Sequence, residues 1–214
     1  LEKRIYKHAL KCIALSPGIA DAIRKRTETP IYIVPNFGDT VYFTPEKKDP
    51  QLLSKLNLKD SFTILYAGAI GQVNAVDELL DIAKVAMDKG KDYQFIVMGK
   101  GSQLPSVLRK ADELELNNFS FFDFGNKEKV RYLLNLSDMA FISFDHLPVL
   151  KTNSPNKFFD ALAAGKPILV NHKGWVYDLV KTHELGISCL PGKMEAAFSK
   201  LEYLEQNRSE LDRM

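Results

Sequence analysis

The sequence is poor in cysteine, in net charge and in long apolar runs, and each of these shortages excludes a class of protein. Its 2 cysteines, Cys12 and Cys189, are too few to staple a 214-residue fold, and both lie in apolar runs typical of reduced core thiols. No window approaches the roughly 18 uninterrupted apolar residues of a membrane-spanning helix. With 29 Lys and Arg against 27 Asp and Glu, the net charge of +2 does not indicate nucleic-acid binding.

The residues that are present describe an ordinary soluble globular chain. Apolar residues make up 45% and charged residues 26% of the composition, which excludes disordered and collagen-like proteins. At about 150 residues per domain, the length suggests one large domain or one and a half, and we predict a single domain over residues 1–214. The chain opens at Leu1 without an initiator methionine or a signal-peptide pattern, and it closes in a charged helical stretch, Glu202–Met214. We therefore expect a fragment of a longer protein.

Short apolar runs alternate with amphipathic stretches along the chain. The runs are continuous rather than alternating in polarity, which favours strands that are covered on both faces. Strand followed by helix, repeated along the sequence, predicts a Rossmann-like α/β fold in three layers, a parallel sheet with helices on both faces. The predicted strands are Cys12–Ser16, Ile31–Pro35, Phe62–Ala67, Gln94–Met98, Phe119–Phe124, Met139–Phe144, Pro167–Asn171 and Ile187–Leu190. The predicted helices are Val76–Met87, Leu104–Leu114, Lys127–Leu136, Phe158–Ala164 and Trp175–Thr182.

Three glycine-containing loops follow predicted strands, at the edge where open parallel sheets bind ligands. The first, Gly68-Ala69-Ile70-Gly71, precedes a helix N-terminus and suits a phosphate, but it is not the full dinucleotide fingerprint and a tight turn explains it equally well. The second, Gly99-Lys100-Gly101-Ser102, favours a turn with Ser102 as a helix cap. The third, Gly125-Asn126-Lys127, offers main-chain groups to a flat base.

The richest segment runs from Lys151 to Val170. Ser154 can cap a helix whose first residue is Pro155, and Lys157 and Asp160 then lie on one face of that helix. Because a lysine in the first turn opposes the helix dipole, its placement indicates an anion at the helix mouth. Asp160 can accept two hydrogen bonds from a ribose. The alternative is a Lys157–Asp160 ion pair within the helix, worth about 0.2–0.5 kcal/mol.

In their order and spacing these segments resemble the carboxyl-terminal, donor-binding domain of the retaining glycosyltransferases of family 4, which have the GT-B fold. The resemblance covers nearly the whole chain. The Ser154–Asp160 run is most similar to bacterial enzymes of capsule, exopolysaccharide and O-antigen (lipopolysaccharide) assembly. The segments that carry the resemblance are Leu15–Ile19, Val34–Asn36, Phe43–Pro45, Tyr66–Gly68, Val97–Gly101, Phe124–Gly125, Ser154–Asp160, Ala163–Pro167 and Gly174–Trp175.

The resemblance implies that a nucleotide-diphosphate sugar lies over the strand ends. UDP is the nucleotide that the family resemblance leads us to expect. Of the family's two acidic residues eight apart, the second binds the ribose and corresponds to Asp160. The first contacts the donor sugar, and Thr152 stands in its place. The two cations that usually grip the diphosphate from the glycine loop are replaced by Ala69 and Asn74.

The charge of a diphosphate still needs compensation in a partly dry cleft. We expect Lys157 to supply it, together with main-chain N–H groups after Gly68, Gly71 and Pro155. Lys157 and Thr152 are the predicted catalytic residues. The full predicted nucleotide-sugar site is Gly68, Ala69, Gly71, Asn74, Gly99, Gly101, Gly125, Asn126, Lys127, Ser154, Pro155, Asn156, Lys157 and Asp160.

The resemblance further implies transfer of a hexosyl group with retained anomeric configuration, without a metal ion or other cofactor. The sequence agrees in one respect, because it contains neither an Asp-x-Asp pair nor a histidine cluster suited to a cation. Such a transfer needs no protein nucleophile, since the protein would stabilise the departing diphosphate and the oxocarbenium-like sugar.

The expected partners follow from the same resemblance. They are the nucleotide-sugar donor, an amino-terminal acceptor-binding domain of the full-length chain, and a polysaccharide or a lipid-linked saccharide acceptor at the membrane surface. Residues 1–214 alone would then bind donor nucleotide and transfer little or no sugar. The implied location is the cytoplasm, with attachment to the inner face of the cell membrane left open.

Two other functions stay open, and a third is disfavoured. A nucleotide-sugar epimerase can share the GT-B architecture, although few acid–base candidates surround the expected sugar position. A non-catalytic nucleotide-binding module would explain the replacements at Ala69, Asn74 and Thr152. A dehydrogenase is disfavoured, because Met98-Gly99-Lys100 stands where an acidic residue would follow the second strand.

Overall fold

Strands and helices alternate along residues 2–214, the part of the chain that the computed structural model describes. The strands are β1 (Cys12–Ala14), β2 (Ile31–Ile33), β3 (Phe62–Ala69), β4 (Tyr93–Lys100), β5 (Phe119–Asp123), β6 (Met139–Ile142), β7 (Ile168–Val170) and β8 (Gly186–Ser188). The helices are α1 (Glu2–His8), α2 (Pro17–Arg24), α3 (Pro50–Lys55), α4 (Asp77–Asp88), α5 (Leu104–Glu113), α6 (Lys127–Leu136), α7 (Asn156–Ala163), α8 (Trp175–Thr182), α9 (Met194–Gln206) and α10 (Arg208–Arg213). Short 3₁₀ helices span Gln72–Asn74 and Pro148–Thr152.

Six strands form one parallel sheet in the order β5-β4-β3-β6-β7-β8. The predicted α/β, Rossmann-like architecture is confirmed, and each predicted strand is present. The strand order reverses between β3 and β6, and this switch point is where open α/β sheets form a ligand crevice. Strand β3 runs past the predicted end at Ala67, because Gly68 and Ala69 still pair with Gly99 and Lys100.

The sheet is buried on both faces, which explains why its strands lack polar alternation. Ile64 and Tyr66 of β3 pack into one core cluster, which α4, α5 and α9 cover. Leu65, between them, packs into the opposite cluster with α6, α7 and α8. Successive side chains of a strand point to opposite faces, so neighbouring apolar residues of β3 pack into opposite clusters.

Strands β1 and β2 form a separate two-stranded parallel sheet. Its small core contains Cys12, Ala14, Ala20 and Ile23. The Ser16 side chain caps α2 by accepting a hydrogen bond from the Ile19 N–H at 3.2 Å. Both strands were predicted, and the structure pairs them with each other and not with the six-stranded sheet.

The loop after β4 differs from its prediction. Ser102 does not cap the following helix, because α5 begins at Leu104 and the preceding Gln103 makes no side-chain cap. Main-chain bonds close this turn instead: the Gln103 N–H donates to the Ile70 carbonyl at 2.9 Å, and the Leu104 N–H to the Gly101 carbonyl at 3.2 Å.

Cys12 and Cys189 are buried free thiols, as predicted. The charged stretch after Glu202 is helical, but it breaks at Asn207 into α9 and α10. Within residues 2–214, no helix combines the length and the apolar character needed to cross a membrane.

Candidate functional site

A pocket of about 210 Å³ lies at the carboxyl ends of β3, β4 and β6, between α6 and α7. Most of its wall is apolar, with Met98, Phe124 and Val130 among the lining residues. The polar or open positions on the wall are Gly68, Lys157 and Asp160. The structure therefore brings together three predicted site residues that are far apart in sequence, at the switch point of the sheet.

Gly68 and Lys157 are direct neighbours. A Cβ atom built on Gly68 would lie 3.6 Å from Cδ of Lys157 and 3.8 Å from its Nζ. The main chain at the end of β3 and the ammonium of α7 thus face the same small volume. A phosphate placed there would meet the ammonium without an intervening side chain at position 68.

Lys157 is a buried cation without a counter-ion. Its Nζ is buried and makes no hydrogen bond or ion pair with any of residues 2–214. The atom lies 4.1 Å from the ring centroid of Tyr66 and 5.3 Å from that of Phe144. Burial lowers the pKa of this lysine from 10.5 to about 7. Aromatic faces offset only part of the lost hydration, so the site favours an incoming anion.

Asp160 lies one turn further along α7 and is half-buried. Burial raises the pKa of its carboxyl, Lys127 acts against this shift, and Asp39 adds to it. No ion pair joins Asp160 to Lys157 in the described part of the chain. The alternative prediction of an intrahelical ion pair is therefore wrong, because the lysine side chain turns inward toward Tyr66 instead.

A second, more open pocket of about 650 Å³ adjoins the first through Asp160. It is lined by the loop 36–41, by Lys127 of α6 and by Asn156 of α7. The Lys127 ammonium donates to Oδ2 of Asp39 at 2.8 Å and lies 4.4 Å from the ring centroid of Tyr42. The aspartate that the sequence assigns to a ribose thus stands between a closed apolar pocket and an open polar one.

The start of α7 differs from the prediction. The helix begins at Asn156, and Pro155 occupies the cap position in an extended conformation. Ser154 therefore lies one residue too early to cap the helix, and its buried Oγ has no hydrogen-bond partner among residues 2–214. Its carbonyl instead accepts a hydrogen bond from Nδ2 of Asn36 at 2.5 Å. In the described chain, the N–H groups of Asn156 and Lys157 form no hydrogen bond, as is usual for a first turn.

The glycine loop after β3 is held by Asn74. Its Oδ1 accepts a hydrogen bond from the Gly71 N–H at 3.1 Å, and its carbonyl accepts one from Oγ of Ser143 at 2.6 Å. The Gly71 N–H is therefore already satisfied. The expected phosphate contacts of the N–H groups after Gly68 and Gly71 stay a prediction. Ala69 is exposed at the end of β3, and its carbonyl accepts a hydrogen bond from the Tyr66 hydroxyl.

Gly99 and Gly101 serve the packing of the sheet. A Cβ atom on Gly99 would overlap the Gly68 carbonyl, and one on Gly101 would overlap the Ile70 carbonyl. Neither residue lines the pocket beside Lys157. These glycines let the end of β4 approach the end of β3 and the loop that follows it. They support the main chain at Gly68, which lines the pocket.

The loop after β5 contributes through a residue outside the predicted set. Phe124 lines the pocket and is 60% exposed, and the Lys100 ammonium lies 4.5 Å from its ring centroid. Asn126 caps α6 by accepting a hydrogen bond from the Lys129 N–H at 3.0 Å. A Cβ atom on Gly125 would overlap the Lys129 side chain. The sequence feature that could have identified Phe124 as a site residue is its position as an aromatic residue at the end of a predicted strand.

Thr152 lies outside the lining of the pocket. It ends the second 3₁₀ helix, and its hydroxyl donates to the Val149 carbonyl at 3.0 Å. Its methyl group fills the space beside Gly18, and its carbonyl accepts a hydrogen bond from Oγ of Ser16 at 2.6 Å. Thr152 thereby joins the second 3₁₀ helix to the start of α2.

The described residues contain no group of three or more His, Cys, Asp or Glu side chains arranged to hold a metal ion. Tyr66 and Phe144, which contact the Lys157 ammonium, were not predicted as site residues. Both lie in continuous apolar runs, and nothing in such a run separates a ring that packs in the core from one that faces a cation.

The family described as "Glycosyl transferases group 1" matches residues 48–214. No curated protein sequence matches the chain.

Solved structures share the fold at low sequence identity. Alr3699/HepE from Anabaena, in complex with UDP-glucose, has a TM-score of 0.79 and 17% identity over 99% of this chain and 59% of its own. Sucrose-phosphate synthase from Thermosynechococcus elongatus has a TM-score of 0.71 and 17% identity, over 99% of this chain and 53% of its own. The carboxyl-terminal domain of the group 1 protein LpcC from Francisella tularensis has a TM-score of 0.64 and 18% identity, over 82% of this chain and 91% of its own. The chain thus spans little more than half of the first two.

Proposed function

The chain belongs to the group 1 glycosyl transferases, and we propose that residues 1–214 form the donor domain, which binds a nucleotide-diphosphate sugar. UDP is the proposed nucleotide. Support comes from the UDP-glucose complex of the Anabaena protein, which shares the fold. It comes also from the position of the pocket beside Lys157, at the switch point of the sheet.

The observation that carries the proposal is the unpartnered Lys157 ammonium. Its Nζ is buried, meets no acceptor among residues 2–214, and lies beside Gly68 at the pocket wall. A buried charge without a partner costs free energy, and a protein retains it where a ligand supplies the missing charge. A diphosphate does so here, assisted by the free N–H groups of Asn156 and Lys157 at the start of α7.

The rest of the nucleotide has candidate contacts around the same pocket. The half-buried Asp160 carboxylate accepts hydrogen bonds from the ribose hydroxyls. The base lies against Phe124, whose exposed ring offers a stacking face next to the main chain of Gly125 and Asn126. Lys127 and the 36–41 loop border the open side of this arrangement.

For the chemical step, we propose retaining transfer of the family 4 type. As the glycosidic bond to the diphosphate breaks, negative charge grows on the leaving phosphate, and Lys157 with the N-terminus of α7 stabilises it. The leaving phosphate takes the acceptor proton, so this chain supplies no nucleophile and no dedicated base. Thr152, predicted as catalytic, has its hydroxyl bonded to Val149, which favours a positioning role.

We propose that the acceptor binds an amino-terminal domain, because the chain spans 59% and 53% of the two longer relatives. The proposed acceptor is a polysaccharide or lipid-linked saccharide of capsule, exopolysaccharide or lipopolysaccharide assembly, met at the inner face of the cell membrane from the cytoplasm. Residues 1–214 alone then bind donor and transfer little sugar. Robust transfer by this chain would contradict the two-domain account.

The second candidate is a non-catalytic nucleotide-binding module. The bonded Thr152 hydroxyl and the uncharged Ala69 and Asn74 of the glycine loop favour it. Isothermal titration with UMP, UDP, GDP, CDP and UDP-glucose tests the binding that both candidates share. Binding of UDP well above UMP supports the diphosphate site, and binding of none of these nucleotides overturns the proposed function. Transfer by the chain joined to its acceptor domain then separates the enzyme from the module.

A further inference from the structure

The small sheet of β1 and β2 has one covered face and one open face. On the covered face, β1 packs against α2. Because side chains alternate along a strand, Ile13 and its register partner Tyr32 lie on the other face. Val34 follows Tyr32 there, since its N–H continues the ladder to the Ala14 carbonyl at 2.9 Å. Ile13 is 67%, Tyr32 51% and Val34 51% exposed, and we name these three residues the open face.

The pair of strands is incomplete by the rules that govern parallel sheets. Parallel strands occur almost only where both faces are covered, and two strands alone are rarely stable. The six-stranded sheet of this chain follows the rule, because it is buried on both faces. Strands β1 and β2 each have one neighbouring strand, so their outer edges meet no partner strand within residues 2–214. An open apolar face beside free main-chain edges indicates a surface on which another structure docks.

The two helices beside the pair indicate which edge is extended. Tyr6 of α1 packs against the same small core as Ile23 of α2, so both helices cover one face. Oγ1 of Thr29 holds α1 there by donating to the Tyr6 carbonyl at 2.8 Å. Crossovers between parallel strands are right-handed, and helices on one face then add successive strands in one direction. A parallel strand that leads into α1 therefore lies at the free edge of β1, on the side away from β2.

The solved relatives indicate where such a strand comes from. The family match begins at residue 48, after both β1 and β2. The isolated carboxyl-terminal domain of LpcC matches 82% of this chain, whereas the longer Anabaena protein matches 99% of it. The longer relative thus has a structural counterpart for a part of this chain that the isolated domain lacks. This chain spans 59% of that relative, which leaves ample length for a further sheet.

The pair is also joined to the proposed donor site. Oγ of Ser16, directly before α2, donates to the Thr152 carbonyl at 2.6 Å. Nδ2 of Asn36, shortly after β2, donates to the Ser154 carbonyl at 2.5 Å. Both carbonyls lie in the segment that leads into α7 and Lys157. A domain seated on β1 is thus held beside the site of the proposed diphosphate, which is where a sugar acceptor has to be brought.

We propose that the acceptor-binding, amino-terminal domain extends this pair of strands. A parallel strand of that domain pairs with the free edge of β1, and apolar side chains of the same domain cover Ile13, Tyr32 and Val34. Strands β1 and β2 then form one sheet with that domain, while the donor fold proper is built on the six-stranded sheet. The inference rests on the proposed two-domain account and makes it specific by naming the docking surface.

Hydrogen exchange followed by mass spectrometry tests the strand pairing. It compares residues 1–214 with the chain joined to its amino-terminal domain. We expect the amides of β1 to exchange at least about 100-fold more slowly in the joined chain. The interior strand β4 is the internal control and should exchange alike in both proteins. Equal exchange of β1 in the two proteins overturns the inference. Protection of β1 in residues 1–214 that is lost on dilution overturns it as well, because a second copy then occupies the edge.

Paired lysine substitutions test the open face. Ile13→Lys with Tyr32→Lys places two charges on it, and Leu108→Lys with Tyr203→Lys does the same at exposed apolar residues on α5 and α9. In residues 1–214, both double variants should unfold within about 2 °C of the unchanged chain. In the joined chain, only the open-face variant should lower the unfolding temperature, by about 5 °C or more. An equal shift for both double variants in the joined chain contradicts the docking surface.

Titration with UDP keeps this inference apart from the proposed function. Binding of UDP by both proteins, with β1 equally unprotected in the two, overturns the docking surface alone and leaves the donor site intact. Protection of β1 in the joined chain without binding of any nucleotide refutes the proposed function and supports the docking surface.

Discussion

The Lys157 ammonium lies 4.1 Å from the ring centroid of Tyr66, in the interior of the chain and at the wall of the pocket between α6 and α7. The Tyr66 hydroxyl donates to the Ala69 carbonyl, which fixes the ring against the glycine loop. The tyrosine therefore holds a cation that meets no oxygen acceptor among residues 2–214. This contact links the strand that ends in the glycine loop to the helix that carries Asp160.

Replacement of Lys157 by alanine removes the charge that we assign to the diphosphate. Charge-assisted hydrogen bonds contribute about 1.5–3 kcal/mol, so we expect UDP affinity to fall roughly 10- to 100-fold. Isothermal titration measures this loss, with Lys55→Ala as the control at an exposed, unpaired lysine. The affinity for UMP should fall much less than the affinity for UDP, because UMP lacks the second phosphate. Unchanged UDP affinity in Lys157→Ala would rule out the proposed role.

Binding of UDP should weaken as the pH rises above 7. Burial lowers the Lys157 pKa to about 7 in the free chain, and a bound diphosphate raises it again because it stabilises the charged form. Between these two pKa values, binding takes up a proton, so affinity falls by up to about tenfold per pH unit. Titrations at pH 8 in buffers of different ionisation enthalpy count that proton. A proton count near zero in the unchanged chain would contradict the prediction, and Lys157→Ala should abolish any uptake.

The same lysine makes the free chain less stable at low pH. Its pKa is about 7 when folded and 10.5 when exposed, so between these values the unfolded chain binds more protons and stability rises with pH. Below pH 7 both states are protonated, and the full cost of the buried charge remains. Lys157→Met keeps the side-chain volume without the charge. We expect its free energy of unfolding to exceed that of the unchanged chain near neutral pH.

The pH dependence separates this effect from a simple packing gain. The stability difference between Lys157→Met and the unchanged chain should shrink by up to about 1.4 kcal/mol per pH unit as the pH rises from 7 toward 10. Denaturant unfolding at several pH values measures it. Groups that are present in both proteins, such as the Cys189 thiol, cancel in the difference. A difference that stays constant with pH would mean that Lys157 keeps its charge when buried.

Asp160→Asn should weaken binding through the ribose. The carboxylate accepts two hydroxyl hydrogen bonds, whereas the amide accepts with one oxygen and carries no charge. We expect about a tenfold loss of UDP affinity and almost no loss for 2′,3′-dideoxy-UDP. Titration of both nucleotides with both proteins gives a coupling energy. An equal loss for the two nucleotides would place the ribose elsewhere.

Gly99→Ala should destabilise the sheet far more than a typical glycine replacement. The new Cβ would overlap the Gly68 carbonyl and push the ends of β3 and β4 apart, at a cost of about 3 kcal/mol. Gly90→Ala is the control, because position 90 has φ of +67° but nothing within 4 Å of the new atom. Its cost should be about 1 kcal/mol, from the left-handed backbone alone. Similar unfolding midpoints for the two variants would contradict the packing role of Gly99.

Much of the fold was readable in the sequence, because continuous apolar runs and amphipathic stretches are local properties. They predicted the eight strands and five of the helices, with errors at the ends. The start of α7 shows why helix ends are hard to predict from sequence. Ser154 and Pro155 are residue types typical of a helix cap and a first helical residue, yet the helix begins at Asn156. Tertiary bonds, such as that from Asn36 to the Ser154 carbonyl, outweigh the local cap.

The sequence alone determined the layered α/β fold and the likeness of the Ser154–Asp160 run to a donor site, since period, spacing and order are fixed along the chain. Only the tertiary structure decided that Lys157 turns inward to Tyr66 instead of pairing with Asp160. The physical reason is that charge compensation depends on distance in space. Residues 66 and 157 come within reach of each other only after the sheet and its covering helices have packed.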